Sequence, residues 1–268
     1  MSGTIFRISV GFLVGVLALL ALALCASDYY IGEQQRLLAA GDARGAAKAS
    51  RTALRLDPFD TDALEARALT LQQQRKHEEA AAVLREAIAR DPNNYFPYLL
   101  LGNVQLAMDD PDAAVENYRN VLELNPKHTA ASIYLAQVLL GQDRLQEAKK
   151  EYLKLERDGR ITGEALYNLG RIGVRTGEPK EGLRDIKAAR RRVLRDLEGL
   201  EGPARRQQKE FLRGMDLALA DAMVVAGREF RARKILANSP SEQAPLLLRL
   251  LDSDPDAYRE QVVNSDVY

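Results

Sequence analysis

The chain has 268 residues, enough for one or two domains with a sizeable core. Its 38 lysines and arginines balance 38 aspartates and glutamates, which argues against a general affinity for nucleic acid, and a charged fraction of 28% is that of a folded protein. One cysteine excludes an intrachain disulfide and a cysteine-based zinc site.

The first element is apolar. Ile8 to Ser27 is a run of 20 uncharged residues between Arg7 and Asp28. At ~1.5 Å per helical residue it spans ~30 Å, the hydrocarbon thickness of a bilayer. A cleaved secretory signal and a retained anchor are both open. The run exceeds the ~7–15 apolar residues usual in a cleavable signal, which favours residues 1–27 as a signal anchor. The alternative is a secreted or periplasmic protein after cleavage. Arg7 before the span, with Asp28 and Glu33 after it, predicts a single-pass membrane protein. Its N-terminus would be cytoplasmic and the rest extracytoplasmic. Gly11 and Gly15 form a G-x-x-x-G through which two membrane helices could pack into a homo-oligomer.

A period of 34 residues follows. Pro58, Pro92 and Pro126 keep that spacing, as do Ala46, Ala80, Ala114 and Ala148. So do Leu101, Leu135 and Leu169; Gly102, Ala136 and Gly170; and Tyr118, Tyr152 and Ile186. The phase holds over 27–60, 61–94, 95–128, 129–162 and 163–196. Each unit reads as two helices and a turn. In 95–128, Tyr98, Leu101, Gly102 and Leu106 form one helical stripe. Asp109-Asp110-Pro111-Asp112 breaks it; Ala114, Tyr118, Val121 and Leu122 form the second. Leu124-Asn125-Pro126 ends the unit, because a residue before proline is pushed out of helical geometry. Gly41-Asp42 and Gly177-Glu178 mark turns within the first and fifth units. Small residues such as Gly102 and Ala114 mark where paired helix axes approach.

This pattern resembles the tetratricopeptide repeat family over residues 27–196, in its period, small residues, second-helix aromatic and closing proline. The resemblance implies an all-α fold: a right-handed α-solenoid of helix hairpins, here with an N-terminal transmembrane helix. The sequence departs from the family at Glu33-Gln34 and Ser50 in the first unit. The fourth ends at Asp158-Gly159 without the proline, and the fifth has Gly182 where the family has alanine. The expected organisation is an anchor at 1–27, five repeats at 28–196, and a degenerate sixth hairpin with C-terminal capping helices at 197–268.

Beyond residue 196 the charge separates. Residues 184–213 carry ten basic and five acidic side chains, including Arg190, Arg191 and Arg192. That patch is expected to pair within its helix with Asp185, Asp196 and Glu198. A sharper reading has it meeting an acidic partner, anionic lipid, or the acidic tail of a second copy. Residues 204–226 and 230–237 read as helices offset from the phase by about half a repeat. Residues 241–268 are acidic and carry the run Leu246-Leu247-Leu248, which would cover the last apolar edge.

Catalytic patterns are lacking: there is no phosphate-binding loop, nucleophile elbow or paired-histidine zinc motif. His77 and His128 stand alone at turns. Asp252, Asp254 and Asp256 lack the glycine and glutamate of a calcium loop, and Pro255 reads instead as the start of a last helix. No enzyme activity, cofactor or metal is expected.

The family's geometry implies a concave groove lined by first helices. The inward positions would be Phe96, Leu99, Asn103 and Leu106; Ile133, Tyr134, Gln137 and Leu140; and Tyr167, Asn168, Arg171 and Arg175. An apolar floor with amides suits a protein or peptide partner, and Arg171 and Arg175 suit a carboxylate. The family's lysine–asparagine clamp for chaperone tails is not expected, because Leu99 stands where the lysine would be. The expected function is a non-catalytic interaction scaffold in the membrane, as a subunit or assembly factor of an envelope complex. At the level of fold this resembles the anchored repeat subunits of cytochrome c maturation and of the secretion translocon. The alternative is a structural subunit permanently packed in a larger membrane or filament assembly, with no free groove.

Overall fold

The computed structural model describes residues 2–264, with side chains from Val10 onward. All regular structure among the described residues is helical, in fourteen helices. They are α1 (Ser2–Ala39), α2 (Ala43–Leu56), α3 (Thr61–Gln73), α4 (His77–Arg90), α5 (Tyr95–Ala107), α6 (Pro111–Leu124) and α7 (Thr129–Gly141). Then come α8 (Leu145–Arg157), α9 (Gly163–Arg175), α10 (Pro179–Leu197), α11 (Gly202–Val225), α12 (Glu229–Asn238), α13 (Ala244–Ser253) and α14 (Pro255–Asn264). The chain divides into two compact units, residues 1–131 and 132–268.

Local chemistry sets the helix ends. Asp42, Asp60, Asn94, Asp110 and Thr162 each accept a backbone N–H of the helix that follows them, which satisfies one of the four orphan donors at a helix start. Each turn inside a 34-residue unit holds one residue in the left-handed region: Gly41, Arg75, Asp109, Asp143 and Gly177. The same backbone bonds recur there. Gly41 donates to Leu38 and Asp42 to Leu37; Asp109 donates to Leu106 and Asp110 to Gln105. This is the Schellman closure of a helix C-terminus. The next such turn, Gly227, lies 50 residues beyond Gly177, one period plus about half.

In the N-terminal unit, α1 packs on α2 and α3, and the helices pair as α3 with α4 and α5 with α6. Leu71, Leu84, Leu100, Leu101 and Val104 form its core. α1 changes character along its length without a break. Residues 10–22 are exposed on every side, whereas burial recurs at Ser27 and Gln34. Ser27 Oγ donates to the Ala53 carbonyl, and Gln34 Nε2 to Ala66 O and Thr70 Oγ1. The departure at Gln34 is therefore a buried polar link to α3.

A second buried polar group sits nearby. Glu65 on α3 accepts from Asn94 Nδ2 at 2.9 Å. Burial, reinforced by Asp62, pushes its carboxyl up to about 7. The folded state thus holds this proton more tightly than the unfolded chain. The stability it contributes is full below about pH 4.5 and is lost as pH rises through about 7. Glu65→Gln keeps an acceptor for Asn94 and cannot ionise. The urea midpoint of the variant should fall less between pH 5 and pH 8 than that of the parent; equal slopes would contradict this account.

In the C-terminal unit α9 and α10 pack most closely. A Cβ on Gly170 would lie 2.7 Å from Ile186, and one on Gly182 would lie 2.4 Å from the Gly170 carbonyl oxygen. α11 packs on α10, α12 on α11, and α13 and α14 close the unit. Met215, Met223, Leu236, Leu251 and Tyr258 are buried among them.

Candidate functional site

The expected groove residues fall into two groups. On α5, Leu99 is buried, Phe96 packs partly against the N-terminal core, and Leu106 is exposed. Asn103 Oδ1 accepts from the Tyr118 hydroxyl at 2.7 Å, so its N–H₂ is the end left to meet a ligand acceptor. On α7, Leu140 is buried, Ile133 and Gln137 are half-buried, and Tyr134 is exposed.

On α9 the residues converge on a cavity of about 520 Å³ within the C-terminal unit. The expected Tyr167, Arg171 and Arg175 line it, together with Leu217 and Asp221 of α11, Leu247 of α13 and Tyr258 of α14. Asn168, next to them, donates to the Tyr152 hydroxyl at 3.2 Å. Tyr167 is held edge-on against Phe211 with ring centroids 5.3 Å apart, and the Arg171 guanidinium lies 5.4 Å from its ring centre.

Two polar groups stand out in this apolar setting. Asp221 accepts from the Tyr258 hydroxyl at 2.7 Å. Burial pushes its carboxyl up to about 6, against the opposing pull of Tyr258 and the Arg171 charge. Arg175 pairs through Nη2 with Asp143 at 3.0 Å, and only 11% of its side chain is exposed. Its Nε and Nη1 are buried and find no hydrogen-bond partner among the described residues. A buried N–H without a partner carries a desolvation cost that an acceptor would offset. The cavity therefore offers mostly apolar walls with the side chains of Arg171 and Arg175 in its lining, which suits an anion with an apolar body.

Two stretches of the chain, residues 35–95 and 105–160, match tetratricopeptide repeat patterns. The chain carries tetratricopeptide repeats. A 77-residue stretch is 35% identical to DnaJ homolog subfamily C member 3 of Rattus norvegicus and 32% identical to that of Homo sapiens. It covers 29% of this chain and 15% of each of those proteins. PilF of Pseudomonas aeruginosa superposes with a TM-score of 0.61 at 20% identity, covering 88% of this chain and 96% of that one. A tetratricopeptide repeat protein of Parabacteroides merdae gives 0.60 at 17%, covering 91% and 94%. YrrB, described as having an unusual peptide-binding site, gives 0.50 at 21%, covering 60% and 82%. At these identities the structural likeness concerns the fold.

Within the repeats, the cavity draws on α9, a first helix, but its far wall comes from α11, α13 and α14, outside the 34-residue phase. Sequence reasoning therefore missed Leu217, Asp221 and Tyr258. One signal was present: Asp221 is a lone acid in the apolar stretch Leu217-Ala218-Leu219-Ala220-Asp221-Ala222-Met223, and a charge in such a stripe is costly unless paired.

The basic stretch of α10 makes one pair within its helix, with Asp185, and one across to the next helix. Arg190 pairs across to Asp216 of α11 at 2.9 Å, and Arg184 takes Asp185 at 2.8 Å. Arg191 is exposed and Arg192 half-buried. In the acidic tail, Asp252 pairs with Arg233 of α12 and Asp256 with Arg259, so part of its charge is used inside its own unit. Asp254 Oδ1 accepts from Ala257 N and caps α14, where Pro255 opens the helix. His128 Nδ1 accepts from Ala131 N. A Cβ on Gly11 or Gly15 would meet open space.

Proposed function

We propose that the chain is a membrane-anchored interaction scaffold whose C-terminal cavity takes an apolar protein segment bearing a carboxylate. The observation that carries the reading is the convergence of Arg171 and Arg175 with Tyr167, Leu217 and Leu247 on one mostly apolar cavity. A carboxylate from a chain terminus or an acidic side chain supplies the acceptor, and charge-assisted bonds of this kind are the strong ones. Tyr167, Leu217 and Leu247 take the apolar part, and Arg171 faces the same space.

The anchor reading draws support from α1. Its window of highest hydropathy averages 2.6 with 6% buried, and the helix passes without a break from that stretch into the repeat packing at Ser27. Cleavage near Cys25 would cut a helix whose next turn is a packed element. With Arg7 on the cytoplasmic side, the repeats lie outside the cytoplasm as part of an envelope complex. The Gly11 and Gly15 face is free for a second copy.

Mild detergent extraction followed by size-exclusion chromatography and mass spectrometry tests both parts. The expected species retains residues 1–27 and carries a stoichiometric protein partner. Arg171→Glu with Arg175→Glu should release the partner while helical content is unchanged. A full-length chain that keeps its partner in that double variant would exclude the cavity as the binding site. A chain lacking its first residues would exclude the anchor.

A further inference from the structure

The N-terminal unit fixes the level of the α2–α3 connection along α1. The Ser27–Ala53 bond sets residue 27 opposite 53, and a Cβ on Gly45 would lie 3.2 Å from Leu37, which sets 37 opposite 45. α2 therefore runs antiparallel to α1. α3 returns from the far end of α2 and so runs parallel to α1, and the bonds from Gln34 to Ala66 and Thr70 set 34 opposite about 68. Both registers carry the intervening turn to the level of Leu24 and Cys25. That is two or three residues, about 4 Å, inside the uncharged run that ends at Ser27.

Phe59 stands at that turn with 84% of its surface exposed. It is presented rigidly. Pro58 restricts the backbone before it, Asp57 Oδ1 accepts from Phe59 N at 3.0 Å, and Asp60 caps α3 through Asp62 N. The Arg90 guanidinium lies 6.0 Å from its ring centre and bonds to the Pro58 carbonyl and to Glu86. An exposed phenylalanine in a stiff turn is costly in water; at the boundary between acyl chains and headgroups it is well placed. The aspartates of the turn accept backbone N–H groups, and Arg90 supplies a cation beside the ring. Tyr29, 66% exposed two residues beyond the apolar run, belongs to the same interfacial level.

We propose that the Asp57–Asp60 turn is a second membrane contact, with Phe59 seated at the acyl–headgroup boundary of the leaflet from which α1 emerges. This rests on the anchor reading above. Two contacts on one rigid unit fix the rotation of that unit about the α1 axis, which a single helix cannot do. The partner surface is a zwitterionic phospholipid bilayer, because Asp57 and Asp60 of the turn stand together with Arg90 of α4, which bonds to the Pro58 carbonyl.

The chain contains no tryptophan, so each substitution by tryptophan creates a single fluorescent reporter. Leu17→Trp reports on the anchor, Phe59→Trp on the turn, and Leu106→Trp on the far end of α5. Each full-length variant is reconstituted in dioleoylphosphatidylcholine vesicles with and without acyl-brominated phosphatidylcholine. The first two should show blue-shifted emission and lose intensity with the brominated lipid, and the third should keep its intensity. If Leu17→Trp is quenched while Phe59→Trp behaves like Leu106→Trp, the second contact is refuted and the anchor stands. If neither Leu17→Trp nor Phe59→Trp is quenched, the anchor reading falls and the contact falls with it.

Discussion

Gly182→Ala should destabilise the C-terminal unit, although alanine is the better helix former by about 1 kcal/mol. The added methyl would sit 2.4 Å from the Gly170 carbonyl oxygen and 2.8 Å from the Val174 backbone nitrogen. Both are backbone atoms of α9, so no rotamer change relieves the contact, and the helices must separate along their closest stretch. Overpacking of this kind costs up to about 3 kcal/mol or more, leaving a net loss of about 2 kcal/mol after the propensity gain. For a unit of this size each kcal/mol lowers the melting temperature by about 4 °C. The same phase position holds Ala46, Ala80, Ala114 and Ala148, each fully buried. The departure at Gly182 thus follows from the close α9–α10 crossing, where Gly170 and Gly173 face it. A melting temperature equal to or above that of the parent would mean that the crossing is looser than described.

The proline, alanine and glycine phase was enough to place the hairpins, because each of those residues acts locally. Proline stops a helix, and glycine or alanine admits a neighbouring axis. The left-handed residues at Arg75, Asp109 and Asp143 were not legible in the same way. No glycine marks them; the paired Schellman bonds impose the conformation on whatever side chain stands there. The site divides along the same line. Tyr167, Arg171 and Arg175 were reachable because they follow the period. Asp221, Leu217 and Tyr258 were not, because their meeting depends on how α11, α13 and α14 fold back, and no repeat dictates that. Arg190 shows the limit most plainly. Helical spacing offered it partners on its own helix, and the structure gives it Asp216 on the next.

Arg175→Met should move stability and partner capture in opposite directions. In the unliganded protein the substitution removes two buried N–H groups without acceptors and leaves an apolar chain of similar reach in an apolar cavity. Its ion-pair partner Asp143 has 64% of its side chain exposed and is readily hydrated, so losing the pair costs little. Relief of the unsatisfied donors is worth about 1–2 kcal/mol, and the urea midpoint should rise. The same change removes the guanidinium proposed to meet the carboxylate. Loss of about 1.5–3 kcal/mol in charge-assisted hydrogen bonding weakens capture by about ten- to hundredfold. Arg175→Lys keeps the charge near Asp143 but loses the planar fork, and should fall between the two in capture. A side chain that serves only to brace α9 against the α7–α8 turn gives the other pattern. Arg175→Met would then lower the midpoint, and any loss of capture would follow from unfolding. Opposed signs on one substitution are what a residue held ready for a ligand produces, since the cost of keeping its donors unmet in the free protein is recovered only in the complex.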